Sequence, residues 1–195
     1  MRIILASSSP RRQELLCQLL SGFEVIKPEI DETRRIGEGL VDYAERLSVE
    51  KAWAVARMLD GGRALVIAAD TIVIDHEGEL LGKPADEADA RFMLRHLRAR
   101  AHQVLTAFSL HRTGDPPKII TGHARTTVHM RDYSDEEIDA YIASGDSFDK
   151  AGGYAIQNAD FHPVARIDGS YSNVVGLPLD SIKSALIQIG FSPSR

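Results

Sequence analysis

The sequence predicts a mixed α/β fold, and three patterns carry that prediction. The near-continuous apolar run over residues 64–69 is typical of a strand that is covered on both faces. Residues 41–58 place apolar side chains at helical spacing. Two longer segments, 104–111 and 119–130, are joined by a Gly-Asp-Pro-Pro turn and predict neighbouring antiparallel strands. Helices and strands therefore alternate, but without the strict order of a doubly wound fold.

The first part of the chain predicts a strand, a helix, a second strand and a long helix. Residues 3–5 are apolar and indicate a short buried strand. The first helix is expected to begin at Ser9 or Pro10, because serine caps helices and proline suits the first helical position. Its apolar face comprises Leu15, Leu16, Leu19 and Leu20. Residues 23–26 alternate like a strand, and the long helix over residues 41–58 contains Lys51.

The rest of the chain continues this alternation. The apolar run from residue 64 is expected to end at Asp70 and Thr71 and to resume as a strand at residues 72–74. A helix is predicted over residues 85–97. Ser134 opens a capping-box pattern ahead of a further helix. A last helix is expected from residue 179 to about residue 189.

The start of the first helix has the chemistry of a phosphate site. Ser7, Ser8 and Ser9 supply hydroxyl groups, and Arg11 and Arg12 supply guanidinium groups. The first amides of a helix have no partner within it and its dipole is positive there, so an anion is stabilised at that end. The alternative is an ordinary capped helix with two surface arginines. The local sequence leaves both interpretations open.

Composition excludes several classes of protein. The 195 residues, 44% of them hydrophobic, suffice for one domain or a two-lobed one, and the net charge of -5 gives no general attraction to nucleic acid. No apolar run approaches the ~18 residues that span a membrane, and no signal peptide is recognisable. The single cysteine, Cys17, excludes an internal disulfide and is expected to be buried on its leucine-rich helix. We therefore expect a cytoplasmic protein.

Asp70 is the strongest single candidate for chemistry. An ionisable group directly after six apolar residues needs a partner, a metal ion or the mouth of a cleft. The alternative is an aspartate that caps or turns the next segment. Glu32 and Asp31 could hold a divalent cation, while Lys51 and Lys83 could neutralise a polyphosphate. For each of these four the alternative is simple solvation.

Other motifs are weaker or absent. Gln157 follows a glycine-rich loop and offers both donors and acceptors, so it either contacts a pyrimidine edge or closes the loop. No GxxxxGK[ST], GxGxxG, HExxH or GxSxG motif occurs, and the seven histidines show no metal-ligand spacing. His102, His123 and His162 are therefore expected to be ordinary core or surface residues.

Seven ordered segments together resemble one known family. They are LASSSPRRQELL, EIDE, ERLSVEKA, AADTIV, LGKP, DKAGGYAIQ and GSYSNVVGLPL. In this order, across nearly the whole chain, they resemble the Maf family of nucleoside triphosphate pyrophosphatases. Residues 1–195 are accordingly expected to form a single Maf-like domain. The YAIQ and GSYSNVVGLPL segments further resemble the dTTP/UTP pyrophosphatase subgroup and differ from the subgroup that acts on 7-methyl-GTP.

The resemblance implies a fold and an activity. The fold is a mixed α/β structure with two lobes and a central cleft, in which helices flank an elongated, curved sheet. It is related to the fold of the inosine triphosphate pyrophosphatases, and the protein often forms a homodimer. The activity is hydrolysis of dTTP and UTP, or of modified pyrimidine nucleotides, between the α and β phosphates. The products are a nucleoside monophosphate and pyrophosphate, and the cofactor is Mg²⁺ or Mn²⁺.

The resemblance also assigns roles to residues. Asp70 matches the proton acceptor of the family and is expected to hold the metal ion together with Glu32. Arg11, Thr71 and Gln157 match positions associated with the choice of a pyrimidine substrate. Phosphate binding is expected of Ser8, Arg12, Lys51 and Lys83.

Two positions depart from the family pattern. Asn158 follows Gln157 where glycine is common, and Ala107 stands where a glycine usually follows an HxVxT segment. Because asparagine tolerates a positive φ better than most residues, the loop at Asn158 is expected to keep its shape. An alternative function, a nucleotide-binding regulator of cell division or septum formation without turnover, is suggested by the family name and by Asn158.

Overall fold

The structure is a computed structural model that describes residues 1–59 and 61–191. Within these residues one mixed sheet contains seven strands. They are β1 (Arg2–Ala6), β2 (Glu24–Ile26), β3 (Ala64–Ile74), β4 (Leu80–Leu81), β5 (Ala101–Arg112), β6 (Lys118–Met130) and β7 (Val164–Asp168). The strand order is β2-β1-β3-β5-β6-β7, and β4 pairs with β3. The predicted α/β class is confirmed.

Parallel and antiparallel pairs occur in this sheet. β1 runs parallel to both β2 and β3, whereas β4 is antiparallel to β3 and β7 is antiparallel to β6. β5 and β6 are neighbours joined by a connection too short for the crossover that a parallel pair needs. The helices are α1 (Pro10–Leu16), α2 (Leu40–Ala56), α3 (Glu87–Leu97), α4 (Asp135–Ala143), α5 (Tyr171–Val175) and α6 (Leu179–Gln188). A 3₁₀ turn spans Ala151–Gly153.

The chain divides into two compact units. The first unit comprises Met1–Asp70, Thr106–Ala124 and Gly176–Arg195, and the second comprises Thr71–Leu105 and Arg125–Val175. The boundary between Asp70 and Thr71 falls inside β3.

The core of the first unit forms where α2 packs against β1 and β3. Side chains alternate along a strand, so every second residue of each strand faces the helix. This cluster consists of Ile4, Ala6, Ala52, Val55, Ala64, Val66 and Ala68. The intervening Leu5, Leu65 and Ile67 are also fully buried, which confirms that the apolar run at residues 64–69 is covered on both faces.

The core of the second unit is rich in aromatic side chains from the segments around α3 and α4. The rings of Tyr141 and Phe161 stack with centroids 4.5 Å apart. The buried Tyr133 hydroxyl donates to the Leu94 carbonyl oxygen at 2.8 Å, so its polar atom has a partner in the core. This packing fixes the segments that precede and follow α4.

Several local predictions are confirmed. Ser9 caps α1, because its side chain accepts a hydrogen bond from the amide of Arg12, and Pro10 occupies the first helical position. Ser134 and Glu137 form a complete capping box at α4. The last helix spans Leu179–Gln188. Among the helices of the described residues, none has the length and apolarity needed to cross a membrane.

Two predictions are wrong. β3 does not end at Asp70 and resume at residue 72; it continues from Ala64 to Ile74, because a lysine partner compensates the charge of Asp70 inside the strand. Cys17 is exposed rather than buried. α1 ends at Leu16, and Cys17 lies in the cap, away from the side on which Leu16 and Leu20 are buried.

Candidate functional site

A lysine that contacts two carboxylates forms the centre of the candidate site. The Lys51 Nζ atom donates to Asp70 Oδ1 at 2.6 Å and lies 2.7 Å from Glu32 Oε1. The Lys51 and Asp70 side chains are each 10% exposed, whereas that of Glu32 is 58% exposed. Two of these three charged groups are therefore withdrawn from water, and the third connects them to solvent.

Three different elements bring these groups together. Lys51 lies on the buried face of α2, beside Ala52 and Val55. Asp70 lies in β3, on which α2 packs through Ala68 and its neighbours. Glu32 comes from the loop that precedes α2. The pairing thus depends on the packing of the helix on the sheet and on the course of the loop.

The loop that carries Glu32 is anchored to α2 by side chains of that helix. The Tyr43 hydroxyl donates to the Glu32 carbonyl oxygen at 2.9 Å. Arg46 forms two hydrogen bonds with the Glu38 carboxylate, at 2.6 and 2.9 Å, and a third with the Thr33 carbonyl oxygen at 3.1 Å. These contacts hold the backbone at Glu32 and at Thr33, while the Glu32 side chain contacts Lys51.

The start of α1 lies in the same unit and feels the same carboxylates. Ser7 Oγ accepts from the Ser9 amide at 3.1 Å, and Ser9 Oγ accepts from the Arg12 amide at 3.4 Å. Arg12 Nε donates to the Gly176 carbonyl oxygen at 2.8 Å. Ser8 is exposed and Arg11 is half-buried. The first turn is therefore a helix start capped by Ser9, with the exposed Ser8 and the half-buried Arg11 beside the cap.

Electrostatic effects link these elements. Burial lowers the pKa of the Arg12 guanidinium, and the negative charges of Asp70 and Glu32 oppose that shift. Burial raises the pKa of Tyr43, and the same two carboxylates raise it further. Arg12 and Tyr43 thus lie within the field of one acidic pair. A backbone carbonyl orients the guanidinium group of Arg12 close to this acidic pair. Such an arginine is suited to binding an anionic group that is accompanied by a metal cation.

The three remaining predicted site residues belong to the second unit. Thr71 directly follows Asp70 on β3 and is half-buried, while Lys83 and Gln157 are exposed. The LGKP and DKAGG motifs contact each other, because the Gly152 amide donates to the Gly82 carbonyl oxygen at 2.9 Å. Gly152 has a φ of +72°, and an added Cβ would lie 3.2 Å from Val73 Cγ1. Glycine is therefore required where these motifs meet.

Comparison with known proteins identifies the family. The family model described as Maf-like protein matches residues 2–189. The chain belongs to the Maf-like proteins. A relative from Geotalea uraniireducens is 49% identical over 188 residues, covering 96% of this chain and 95% of that protein, and one from Symbiobacterium thermophilum is 46% identical over 190 residues, covering 97% and 95%. Both relatives are named dTTP/UTP pyrophosphatase.

Solved structures show the same fold at low identity. A HAM1 protein from Coxiella burnetii aligns with a TM-score of 0.54 at 15% identity, over 96% of this chain and 99% of that chain. The Ham1 protein of Staphylococcus aureus aligns with a TM-score of 0.56 at 13% identity, over 97% and 100%. The architecture of this Maf-like protein is therefore shared with the Ham1 proteins.

Asn158 plays a different part in this Maf-like protein from the one expected. It does not adopt a positive φ; among the described residues only Ala99 and His162 do so without being glycine. Its Nδ2 donates to Asp146 Oδ2 at 3.0 Å, and its Oδ1 accepts from the amides of Asp160 and Phe161. The side chain thus ties together the loop that presents Gln157. Ala107, the other departure, is fully buried in β5.

Sequence patterns did not reveal every residue that contacts the candidate site or could bind a metal ion. Tyr43 and the Gly176 carbonyl have no local signal, because their partners Glu32 and Arg12 lie far from them in the chain. The structure also places Asp75, His76 and His96 together, with one ligand atom from each within 4.8 Å of the others. The histidine spacing gave no sign of this cluster, since His96 comes from α3 and the other two residues follow β3.

Proposed function

We propose that this chain hydrolyses nucleoside triphosphates, with dTTP and UTP as substrates, to the monophosphate and pyrophosphate. The observation that carries the proposal is the buried Asp70 paired with Lys51 and Glu32, beside an ordered helix start that bears Arg12. The names of relatives that are 46% and 49% identical over nearly the whole chain support the substrate class. No observation favours a regulator without turnover.

The donor set at Asp70 and Glu32 fits a hard divalent cation. Both carboxylates contact the same ammonium group, so their oxygen atoms converge on one point. Mg²⁺ is usually held in proteins by one or two carboxylates together with substrate phosphates and water, and Mn²⁺ accepts similar oxygen ligands. When bound there, Mg²⁺ or Mn²⁺ would neutralise phosphate charge and act as a Lewis acid.

Asp70 is the proposed general base. Its carboxylate accepts a proton from a water molecule while the water oxygen forms a bond to one phosphorus of the α–β linkage. The bond from that phosphorus to the bridging oxygen breaks, and the electron pair leaves with the bridging oxygen. A positioned base typically contributes about 10²- to 10⁴-fold to a rate, so electrostatic stabilisation of the phosphates must supply a large share of the rest.

The cationic groups supply that stabilisation. Lys51 compensates the charges of Asp70 and Glu32. With a divalent cation held by these two carboxylates, the ammonium group of Lys51 would be able to turn to phosphate oxygens. Arg12 and Ser8 bind phosphate at the helix start, where the helix dipole is positive. By the family resemblance, Lys83 also binds phosphate, while Arg11, Thr71 and Gln157 select the pyrimidine. We also propose that the protein is cytoplasmic and that it forms a homodimer.

Substitution of Asp70 tests the proposal. Asp70→Asn keeps the shape of the side chain and removes the base, so we expect turnover of dTTP and UTP to fall by about 10²- to 10⁴-fold. Phosphate release is measured with added inorganic pyrophosphatase over dTTP, UTP, CTP, GTP and 7-methyl-GTP, with circular dichroism as the check of folding.

Glu29→Gln is the matched control, because it neutralises an exposed carboxylate in the loop before Glu32. We expect this variant to keep the wild-type rate. A near wild-type rate for Asp70→Asn would contradict the role of Asp70. Saturable nucleotide binding by the wild-type chain, with no metal-dependent product from any substrate, would instead favour the regulator.

A further inference from the structure

Asp75, His76 and His96 form a second cluster of potential ligands, separate from Asp70 and Glu32. Asp75 Oδ2 lies 2.8 Å from His96 Nε2, and the rings of His76 and His96 are 4.6 Å apart between centroids. All three residues belong to the second unit. One carboxylate oxygen and two imidazole nitrogens within 4.8 Å of one another form a donor set of mixed type.

The Asp75 carboxylate is held in place before any ion binds. Its Oδ1 atom accepts from the amides of Glu77 and Glu79, at 2.9 and 2.8 Å, in the turn between β3 and β4. The other oxygen, Oδ2, faces His96. The Asp75 side chain is 4% exposed. Hydrogen bonds that orient a ligand in this way are typical of metal centres, where they fix the first ligands in a useful geometry.

His96 is held by rigid elements. It lies in the last turn of α3, and its ring stacks on that of Phe92 with centroids 5.8 Å apart. Its Nε2 atom faces the Asp75 carboxylate. The two residues therefore come from a helix and from a tight turn, so an ion that binds both would connect these elements.

A positively charged side chain competes with a metal ion for this position. Arg100 Nη1 lies 3.3 Å from His76 Nε2 and donates to the His96 carbonyl oxygen at 3.1 Å. Arg100 is exposed, so its guanidinium can move into solvent at little cost. The Glu77 carboxylate has the opposite effect on a bound metal ion. Its Oε1 atom lies 3.6 Å from His76 Nε2 and can supply a further oxygen ligand.

We propose that Asp75, His76 and His96 bind a transition-metal ion of the Zn²⁺ type, with water or Glu77 completing the coordination. Two nitrogen donors and one oxygen donor match Zn²⁺, whereas Mg²⁺ prefers oxygen ligands alone. The ion fastens the β3–β4 turn to α3. This site does not depend on the proposed function, since it shares no residue with the Asp70 and Glu32 pair.

Zn²⁺ binding to the full chain tests the proposal. The protein, without an affinity tag and freed of metal by a chelator, is titrated with Zn²⁺ in a calorimeter, and Co²⁺ is added separately as a spectroscopic probe. We expect one Zn²⁺ per chain, visible d–d absorption on addition of Co²⁺, and a rise in Tm with Zn²⁺. Absence of saturable Zn²⁺ binding would overturn the proposal.

Four variants locate the ion. We expect His76→Gln with His96→Gln to weaken Zn²⁺ binding by at least about 10-fold, while His123→Gln, outside the cluster, leaves it unchanged. Arg100→Met removes the competing charge and should tighten binding by about fivefold or more, a gain that loss of folding cannot mimic. Asp70→Asn should leave Zn²⁺ affinity unchanged. Loss of the ion in Asp70→Asn, or its full retention in the double variant, would contradict the site.

Discussion

At the scale of single residues, Lys51 shows how a buried charge is tolerated. The ammonium group contacts Asp70 and Glu32, so a carboxylate inside a central strand has a compensating charge close by. Removing one partner of such a pair leaves an uncompensated buried charge, which is far more costly than the net stabilisation that the pair provides. The arrangement is therefore explained better by a function that needs charge at this position than by stability.

His102 is a second buried titratable residue, and it makes stability depend on pH. Its Nε2 atom lies 2.7 Å from the Tyr154 hydroxyl oxygen. Burial, the largest cause, and the charge of His129 lower the pKa of His102 to about 4, against the opposing effect of the Asp75 charge. The folded chain thus keeps this imidazole neutral through mildly acidic conditions.

We expect this residue to weaken the fold as the pH falls below 6.5. The unfolded chain takes up a proton here near pH 6.5, whereas the folded chain does so only near pH 4, so stability that is present above pH 6.5 is lost across this window. The loss amounts to at most about 3 kcal/mol. His102→Gln cannot titrate, so its free energy of unfolding in urea should fall less between pH 7 and pH 4.5. An equal fall in both proteins would contradict this prediction.

At the scale of elements, the GSYSN motif connects α5 to the sheet. Thr126 Oγ1, on β6, accepts from the Ser170 amide at 3.0 Å and from Asn173 Nδ2 at 2.9 Å. Asn173 Nδ2 also donates to the Val104 carbonyl oxygen of β5 at 3.0 Å. Glycine, which has no Cβ, lets the backbone of a loop come close to another group. Here the close approach of Gly169 is to the chain's own Thr126.

Gly169→Ala should destabilise the protein. Gly169 has a φ of +136°, and an added Cβ would lie 2.7 Å from Thr126 Oγ1, so alanine would be strained and would press on the β6 hydroxyl to which the motif is bonded. We expect the free energy of unfolding to fall by about 1–3 kcal/mol.

Gly22→Ala is the matched control for this substitution. An added Cβ at Gly22 would meet no heavy atom within 4 Å, and its φ is not positive. We expect a change within about 0.5 kcal/mol, measured by urea unfolding alongside Gly169→Ala. Equal effects of the two substitutions would show that contact with Thr126 is unimportant.

At the scale of the whole molecule, three strands belong to both units. β3, β5 and β6 each contain one of the points at which the chain passes from one unit to the other. Unfolding either unit would break these strands within their length. Because these long strands contribute to both cores, we expect a loss of structure in one unit to lower the free energy of unfolding of the other.

We expect the two units to unfold in a single transition. The one tryptophan, Trp53, lies in the first unit, whereas four of the five tyrosines lie in the second. Tryptophan fluorescence and tyrosine absorbance should therefore give the same midpoint in urea, as far-UV circular dichroism also should. Two separate midpoints would show that the units unfold independently.

Much of the fold could be predicted from the sequence, because its signals are local. Capping residues, proline at a first helical position and apolar periodicity act over a few residues, and they gave the starts of α1 and α4 and both ends of α6 closely. The continuity of β3 was missed, because local sequence favours a break at Asp70 while a distant lysine compensates its charge. The exposure of Cys17 was missed because α1 is shorter than its leucines suggest.

The sequence by itself determined the α/β class and the family and made Asp70 the strongest candidate for chemistry, since these depend on local patterns and ordered motifs. Only the tertiary structure decided which groups meet: Lys51 with two carboxylates, Arg12 with the Gly176 carbonyl, Asn158 with Asp146, and Asp75 with two histidines. Apart from the neighbours Asp75 and His76, each of these contacts joins residues from separate elements or loops. Their distance is set by how helices pack on the sheet and how loops are anchored, which no short stretch of sequence encodes.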